Sequence, residues 1–475
     1  MWDISEKRFH TGKQCVRLLI MIALVSLALS NSGCGLFTFD TMKNDLLTEN
    51  VKPDHSRTSE AIARPELPND IFIGIAMSGG GSRAANFSAA VLLELERLGI
   101  LQHTTVISSV SGSSLTAAYY GLYGKDPSSW NEPLLRKHLG NNFELDWIGR
   151  WFLPWNVARY WTGNFSRSDI MEQVLDSELY GAQQFKDMPP GVPKILMNAT
   201  SYTSGRRFVF SDEGFAENLN SRLDTYPIAN AVMASSAFPG VFHDVTLKDY
   251  RITQRDNTQQ YEHLLDGGPS DNLGTTILTD IIRRLNKSDN KLAGCFMFVV
   301  DAFNYQETPE HTQEADTRKF FDFLFDTNVA TASDALLTSR RIDLLRALDI
   351  YVDDADLVPY KTTDIWLDDE GKKTTPCQVW HLSFQRLYSP SFEMALGKLD
   401  KSQDHLRDVR KLVNGIPTRY KLTTVNGYSP ESVQDYIFTA AKTLIRDDKI
   451  ESTLILKKVC DWFMEKKLPN LNCQQ

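Results

Sequence analysis

The sequence predicts an α/β fold, because short apolar segments typical of buried strands alternate with segments of helical periodicity. Three strand-like segments, 71–77, 106–110 and 264–265, run directly into small polar residues. The residues that follow them are Ser78-Gly79-Gly80-Gly81, Ser111-Gly112-Ser113-Ser114 and Asp266-Gly267-Gly268. Sites in open α/β sheets form at the ends of strands. We therefore expect these three segments to carry the function.

Length and composition exclude several classes of protein. The chain has 475 residues, with 42% hydrophobic and 23% charged side chains, which is ordinary globular usage. At roughly 150 residues per domain, that length fits about three domains or one large domain with additions. The net charge of −9 gives no basic bias that would favour nucleic-acid binding, so we expect no nucleic-acid partner. Six cysteines are too few for a disulfide scaffold.

The first residues form a secretory signal pattern. Four basic residues up to Arg17 precede an apolar run at 18–29, and Ser32-Gly33-Cys34 follows after Asn31. This ending resembles a bacterial lipobox, in which the cysteine is lipidated, although Asn31 stands where an aliphatic residue is usual. We expect a signal peptide at 1–33 and lipidation at Cys34, and an uncleaved anchor or ordinary secretion are the alternatives.

The location and the next segment follow from that pattern. Gly35 directly after the cysteine resembles the signal that sorts lipoproteins to the outer membrane. We therefore expect a lipid-anchored protein in a bacterial cell envelope, at the outer membrane facing the periplasm. Residues 34–68 are polar, with three prolines and few aromatic residues, and we expect a flexible tether there.

The triple glycine follows a strand and opens a helix predicted from Ala84 to Gly99. Glycines let backbone N–H groups converge, and a helix N-terminus adds partial positive charge, so this arrangement suits an anion. A nucleotide-phosphate loop would be similar, but no Gly-Lys-Ser/Thr ending is present. A tight turn or close packing is the structural alternative.

The second segment has the form of a nucleophile elbow, a serine on a sharp turn between a strand and a helix. The usual pattern is G-x-S-x-G, and here both flanking glycines are replaced, by Ser109 and Ser113. Ser109, Ser113 and Ser114 compete with Ser111 as nucleophile. Strand register and the adjacent Gly112 favour Ser111, and a serine-rich loop without catalytic role is the alternative.

These segments, taken in order, resemble the patatin-like phospholipase family of bacterial lipoprotein type. The sequence 78–84 matches its S-G-G-G-x-R-A form, and the elbow is similar to that of cytosolic calcium-dependent phospholipases A. Residues 198–206 and 234–242 resemble two further family segments, so the resemblance covers about 70–305. It implies a three-layer α/β/α patatin-like fold with a mainly parallel central sheet and a helical C-terminal extension.

The resemblance also implies the site. Ser111 and Asp266 would form a catalytic dyad, and the backbone of Gly79, Gly80 and Gly81 would form the oxyanion hole. The supporting residues would be Arg83, Gly112, Gly267 and Gly268. The catalytic core would span 69–305, with 306–475 packed on it as a C-terminal continuation. No cofactor and no metal are expected.

The expected function is acyl-ester hydrolysis on a phospholipid or another acyl ester at a membrane surface. The alternative is a non-catalytic lipid-binding envelope lipoprotein that retains the fold. A Ser-His-Asp triad is the rival mechanism, with His311, His381 or His405 as its histidine, although none of them stands at a strand end among small residues.

Two groups of residues fall outside these motifs. Residues 143–161 contain four of the nine tryptophans, which suits either a lipid-facing lid or core packing. We expect a disulfide between Cys460 and Cys473 in an exported protein, whereas Cys295 and Cys377 lie in apolar strands and are predicted to be buried thiols.

Overall fold

The computed structural model describes residues 42–47, 67–251, 260–286, 292–303, 328–351, 360–363, 371–388, 408–409, 412–413, 415–446 and 452–473. The predicted signal peptide, Cys34, His311 and His405 lie outside these residues. No helix within the described ranges is long and apolar enough to cross a membrane.

The described strands form one large mixed sheet and a small two-stranded one. They are β1 (Asp45–Leu46), β2 (Ile71–Met77), β3 (Val106–Val110), β4 (Lys194–Ser201), β5 (Arg207–Phe210), β6 (Ser221–Arg222), β7 (Val245–Asp249), β8 (Gln260–Asp266), β9 (Gly294–Asp301), β10 (Tyr360–Thr363) and β11 (Cys377–Ser383). The large sheet has the order β10-β11-β9-β2-β3-β4-β8-β7, with β5 on β4. Its five central strands, from β11 to β4, are parallel. The predicted mainly parallel sheet is confirmed.

Helices cover both faces of this sheet. They are α1 (Gly81–Arg97), α2 (Gly112–Tyr123), α3 (Glu132–Leu139), α4 (Phe143–Trp151), α5 (Pro154–Thr162), α6 (Arg167–Leu175), α7 (Asp212–Leu219), α8 (Ile228–Ser235), α9 (Gly268–Asp271), α10 (Thr275–Leu285), α11 (Asn328–Arg346), α12 (Pro430–Arg446) and α13 (Ser452–Glu465). One apolar core lies under α1, α2, α12 and α13, and a second lies under α10 and the end of α11. The three-layer α/β/α arrangement follows from this burial on two faces.

The two strands that lead into the candidate site have the bounds that the sequence predicts. Every residue of β2 and β3 is buried, which explains the almost continuous apolar pattern of β2, since parallel strands are covered on both faces. β2 pairs with β3 and with β9, so the residues after Met77, Val110 and Asp301 meet at one edge of the sheet.

Strand β8 reaches this edge from the opposite direction. β4 extends beyond the end of β3, since Val110 pairs with Asn198 and the residues from Ala199 onward have no β3 partner. β8 pairs antiparallel with this overhang, and its last residue Asp266 lies opposite Ala199. Asp266 thus lies at the carboxyl end of β8, as the sequence predicts, but β8 is antiparallel to the strands that carry the other two segments.

Part of the predicted tether lies against the protein. β1 pairs antiparallel with β6, and Asn44 is buried, with its side-chain amide donating to Ser221 Oγ at 3.0 Å and to Lys248 O at 2.9 Å. The prediction of a flexible tether over 34–68 is therefore wrong for residues 42–47, because Asn44 satisfies backbone and side-chain groups of the domain.

The four cysteines within the described residues form two disulfides. Cys295 and Cys377 are directly opposite each other on the parallel strands β9 and β11 and are joined by a disulfide. The prediction that they are buried thiols is wrong, because the strand register, which the sequence does not reveal, places their side chains together. The structure also joins Cys460 on α13 to Cys473.

The C-terminal part continues the same fold. β10 and β11 extend the sheet beyond β9, and α12 packs on α1 and α13. The segment 415–421 that precedes α12 lies over the glycine-rich loop, where Ser82 N donates to Arg419 O at 2.7 Å. Residues far along the chain therefore reach the candidate site.

Candidate active site

Ser111 lies on a strained turn between β3 and α2. Its φ of +53° and ψ of −126° are rare for a residue with a side chain. The next position must be glycine, because a Cβ on Gly112 would overlap the Gly81 carbonyl oxygen. This combination places the serine side chain outside the helix, 8% exposed, beside the glycine-rich loop. Strain of this kind costs roughly 1–3 kcal/mol and clusters at functional sites.

That strain predicts an unusual order of stability between two variants. Ser111→Gly relieves the positive φ, whereas Ser111→Ala retains it, so the glycine variant should be more stable by about 1 kcal/mol after the entropic cost of glycine. Chemical denaturation of both purified variants checks this order. An alanine variant as stable as the glycine variant would show that the turn is not strained.

The three competing serines are occupied by structural hydrogen bonds. The Ser113 hydroxyl donates to Met77 O at the end of β2 at 2.8 Å, and its oxygen accepts from Val110 N at 3.1 Å. Ser109 Oγ bonds Ser114 Oγ at 3.0 Å, and Ser114 Oγ bonds Ser235 Oγ at 2.9 Å. All three are 0% exposed, whereas Ser111 retains 8% exposure, so of these four elbow serines Ser111 is the one with some access to solvent.

Ser235 on α8 fixes the backbone of the turn. Its hydroxyl donates to Asn198 O at 2.7 Å and accepts from Ser111 N at 3.0 Å. The Asn198 amide in turn donates to Ser108 Oγ and Ser109 O, both at 2.9 Å. Asn198 and Ser235 belong to the segments 198–206 and 234–242, respectively. Their hydrogen bonds explain why polar residues stand at these buried positions.

Asp266 lies buried against Ser111. Its Oδ1 accepts from Gly268 N at 2.8 Å, and its own N–H donates to Ala237 O at 3.0 Å. Burial raises the pKa of the Asp266 carboxyl to about 6, against smaller lowering effects from the Gly268 N–H and the Ser111 hydroxyl. A carboxylate with this pKa is a stronger base than an ordinary aspartate and still ionised at neutral pH. Gly267 is required because a Cβ there would overlap Asn198 O.

The glycine-rich loop presents two N–H groups. Gly80 and Gly81 have φ values of +139° and +59°, which favour glycine. None of the hydrogen bonds among the described residues uses the N–H of either glycine. The Gly79 N–H donates to Asn272 O at 3.0 Å, so of the three predicted oxyanion-hole glycines Gly79 already has an acceptor within the protein.

Arg83 holds this loop to its surroundings. The buried guanidinium donates through Nε to Ala302 O at 2.7 Å, through Nη1 to Ile416 O at 2.5 Å and through Nη2 to Thr418 Oγ1 at 3.3 Å. Arg83 therefore fixes the glycine-rich loop to the residue after β9 and to the segment before α12.

Tyr420 is a site residue that the sequence analysis missed. Its hydroxyl donates to Ser236 O, and its ring packs edge-on against Phe242 with centroids 5.3 Å apart. Burial and the nearby Asp266 carboxylate hold the pKa of Tyr420 well above its usual value, and the Ser111 hydroxyl also interacts with this phenol. Tyr420 lies far along the chain from Ser111 in a segment without a motif, so no sequence signal indicated it.

The histidine of the rival triad is placed elsewhere. His381 on β11 is buried and its Nε2 bonds Asp301 Oδ2 at 2.8 Å, and Arg341 also pairs with Asp301. Burial lowers the pKa of His381, so it is neutral. His263 bonds Asp244 Oδ2 at 2.7 Å on the side of β8 away from the dyad. Among the described residues, the structure brings no histidine to Ser111 and Asp266.

Other candidate roles have little support in the described part of the chain. No group of three or more His, Cys, Asp or Glu side chains is arranged there to hold a metal ion. The tryptophan-rich segment 143–161 forms α4 and α5, with Trp147 and Trp151 partly buried and Trp155 and Trp161 exposed. Packing therefore accounts for Trp147 and Trp151, whereas for the exposed Trp155 and Trp161 a lipid-facing lid stays a prediction.

Comparisons with known proteins find one matching family model and several similar solved structures. Residues 75–279 match the family model of patatin-like phospholipase. No curated protein sequence matches the chain. Among solved structures, human GIVD cytosolic phospholipase A2 aligns with 14% identity and a TM-score of 0.47, covering 85% of this chain and 62% of that one. VipD from Legionella pneumophila aligns with 12% identity and a TM-score of 0.26, covering 84% of this chain and 77% of that one. The chain thus spans less than two thirds of the human enzyme.

Proposed function

Residues 75–279 form a patatin-like phospholipase domain, and from this premise we propose that the chain hydrolyses lipid acyl esters through a Ser111–Asp266 dyad. The observation that carries the proposal is the position of Asp266, a buried carboxyl with a pKa raised to about 6, against the Ser111 hydroxyl of the strained elbow. A purely structural carboxylate would be expected to have its charge neutralised by a cation, and none of the described hydrogen bonds or ion pairs gives Asp266 one.

The geometry supports a two-step reaction. Asp266 accepts the proton of the Ser111 hydroxyl as its oxygen bonds to the ester carbonyl carbon. The negative charge on the carbonyl oxygen is stabilised by the N–H groups of Gly80 and Gly81, each worth roughly 3 kcal/mol in comparable sites. The alcohol leaves with the proton from Asp266, and a water molecule then hydrolyses the acyl-serine by the same route.

The decisive experiment locates the nucleophile chemically. Purified full-length protein is incubated with a fluorophosphonate probe, and the adduct is found by peptide mass spectrometry, alongside hydrolysis of p-nitrophenyl butyrate and of phosphatidylcholine. We expect one adduct, on Ser111, and release of fatty acid. Absence of any adduct and of any ester turnover would favour the non-catalytic lipid-binding alternative.

We also propose that the chain is exported and anchored in a bacterial envelope through Cys34. The signal-like residues 1–33 support this, as do the two disulfides, which persist mainly in oxidising compartments.

The anchor has a direct test. Cys34→Ser should leave an uncleaved precursor and prevent incorporation of labelled palmitate, because the thiol is the acceptor of the lipid. Intact-mass and N-terminal peptide analysis of the native protein measures both features. An unmodified Cys34 still joined to Gly33 would contradict lipidation and leave an uncleaved anchor.

A further inference from the structure

Helices α4 and α5 expose an unusual amount of apolar surface. Phe152, Trp155 and Trp161 are 73%, 57% and 77% exposed, and Leu145, Ile148 and Val157 are exposed beside them. We call these six residues the aromatic face. The other exposed large apolar side chains of the described residues are scattered over several elements. A concentrated apolar patch of this kind marks an interaction site on a soluble domain.

The aromatic face is held in place by the protein. Asn142 caps α4, Trp147 Nε1 donates to Arg167 O at 3.0 Å, and Arg150 Nη1 donates to Gln173 O at 3.1 Å. Trp151 packs on Tyr160 with ring centroids 4.9 Å apart, which joins α4 to α5. The outward aromatic side chains therefore lie on two fixed helices.

Helix α4, which carries part of this face, contacts residues that lie next to Ser111. Trp147 packs edge-on against Phe242 at 5.4 Å, and Phe242 packs in the same way against Tyr420 at 5.3 Å. Glu144 on α4 also accepts from Tyr420 N at 3.2 Å and pairs with Lys421 at 3.1 Å. The helices that carry the aromatic face are thus in direct contact with the residue that covers Ser111.

The first described residues, Met42 and Lys43, lie near the end of α5 and α6. Lys43 pairs with Glu172 on α6 at 3.1 Å, and Met42 lines a cavity together with Asn164 and Ser166, directly after α5. Cys34 is eight residues before Met42. A chain of that length spans at most roughly 28 Å, so an anchor at Cys34 would bring the bilayer close to α5.

We propose that the aromatic face docks on a lipid bilayer and presents the membrane surface to Ser111, which rests on the proposed lipid hydrolase function. Tryptophan and phenylalanine are the side chains favoured at the membrane interface. The basic residues of α4 and α5, Arg150 and Arg159, are only partly exposed, and Arg150 is bonded to Gln173 O and Ser177 Oγ. With a net charge of −9, binding should depend on apolar insertion rather than on anionic lipid.

The test uses the full chain with Ser111→Ala, so that the vesicles stay intact. The protein is reconstituted into phosphatidylcholine vesicles containing a bromine-labelled phosphatidylcholine, which quenches tryptophans that enter the bilayer. We expect quenching that is insensitive to 0.5 M NaCl and to added phosphatidylglycerol, and most of it should be lost in Trp155→Phe/Trp161→Phe. Quenching that is unchanged in this double variant would overturn the proposal.

A second measurement uses the active chain. Phe152→Ser/Trp155→Ser/Trp161→Ser should lower hydrolysis of vesicle phospholipid at least about tenfold relative to that of soluble p-nitrophenyl butyrate, because insertion is weakened. Leu454→Ser/Met464→Ser, which alters exposed apolar residues of α13, is the matched control and should leave the ratio unchanged. An equal loss on both substrates would overturn the proposal, as would a change of oligomeric state in light scattering, which would indicate a protein interface. If quenching occurs but no ester is hydrolysed, the proposed function fails and the docking surface stands.

Discussion

Ser111→Ala is expected to lower ester hydrolysis by at least about 10⁴-fold and to abolish fluorophosphonate labelling, because removing a serine nucleophile leaves only binding and oxyanion stabilisation. The substitution removes one oxygen atom from a side chain with no structural hydrogen bond to the elbow backbone, since Ser235 holds that backbone through Ser111 N. The variant should therefore fold. Steady-state hydrolysis of p-nitrophenyl butyrate and circular dichroism measure the two properties.

Ser109→Ala and Ser114→Ala are the matched controls for this variant. Their hydroxyls belong to the buried network that ends at Ser235, so these variants should lose stability and retain the Ser111 adduct. A fluorophosphonate adduct on Ser109, Ser113 or Ser114 in the Ser111→Ala protein would instead assign the nucleophile to another serine of the elbow.

The parts of the site that were predictable are those determined by local sequence. A fully apolar strand, a small-residue turn and a helical pattern fix β2, the glycine-rich loop, β3 and the elbow within one short stretch of chain. The requirement for Gly112 is also local, because a Cβ at this position would overlap the carbonyl oxygen of Gly81. Asp266 was predictable as a strand end followed by two glycines, although the direction of β8 was not.

The parts that were missed depend on contacts between distant residues. Tyr420 reaches Ser111 because Arg83 holds Ile416 and Thr418 and because Ser82 N bonds Arg419 O. The disulfide of Cys295 and Cys377 depends on the register of two parallel strands 82 residues apart. Neither periodicity nor composition carries information on such pairings. The sequence alone therefore does not predict which residues pack over Ser111.

The packing of Phe242 and Tyr420 over the proposed dyad affects how a substrate could reach it. Ser111 is 8% exposed and Asp266 is 3% exposed, with Phe242 and Tyr420 between them and the aromatic face. The same burial that raises the pKa of Asp266 therefore restricts the path to the serine. A lipid chain that enters from the side of α4 would meet apolar rings along this path, which suits an acyl chain better than a charged substrate.

Asp266→Asn is expected to lower hydrolysis by at least about 10³-fold, because the amide keeps the shape and the bond from Gly268 N but cannot accept the serine proton. In the wild-type protein, hydrolysis should rise with pH through the Asp266 pKa of about 6 and then level off, since only the carboxylate is a base. A pH series of kcat/KM on p-nitrophenyl butyrate measures this profile. A wild-type rate that is flat between pH 5 and 8 would contradict the assignment.

The same substitution should stabilise the protein at neutral pH. The Asp266 pKa rises on folding from 3.8 to about 6, so the folded state binds a proton more tightly than the unfolded state does. Stability is therefore lost as pH rises from about 4 to about 6, by roughly 3 kcal/mol in total, and this loss persists at higher pH. The neutral amide of the Asp266→Asn variant carries no such penalty, so the variant's advantage over wild type in denaturant unfolding should be absent at pH 4 and full at pH 7.5. If the inactive variant were less stable than wild type at pH 7.5, the Asp266 carboxylate would stabilise the fold. That result would contradict the expectation that its burial lowers the stability of the folded protein.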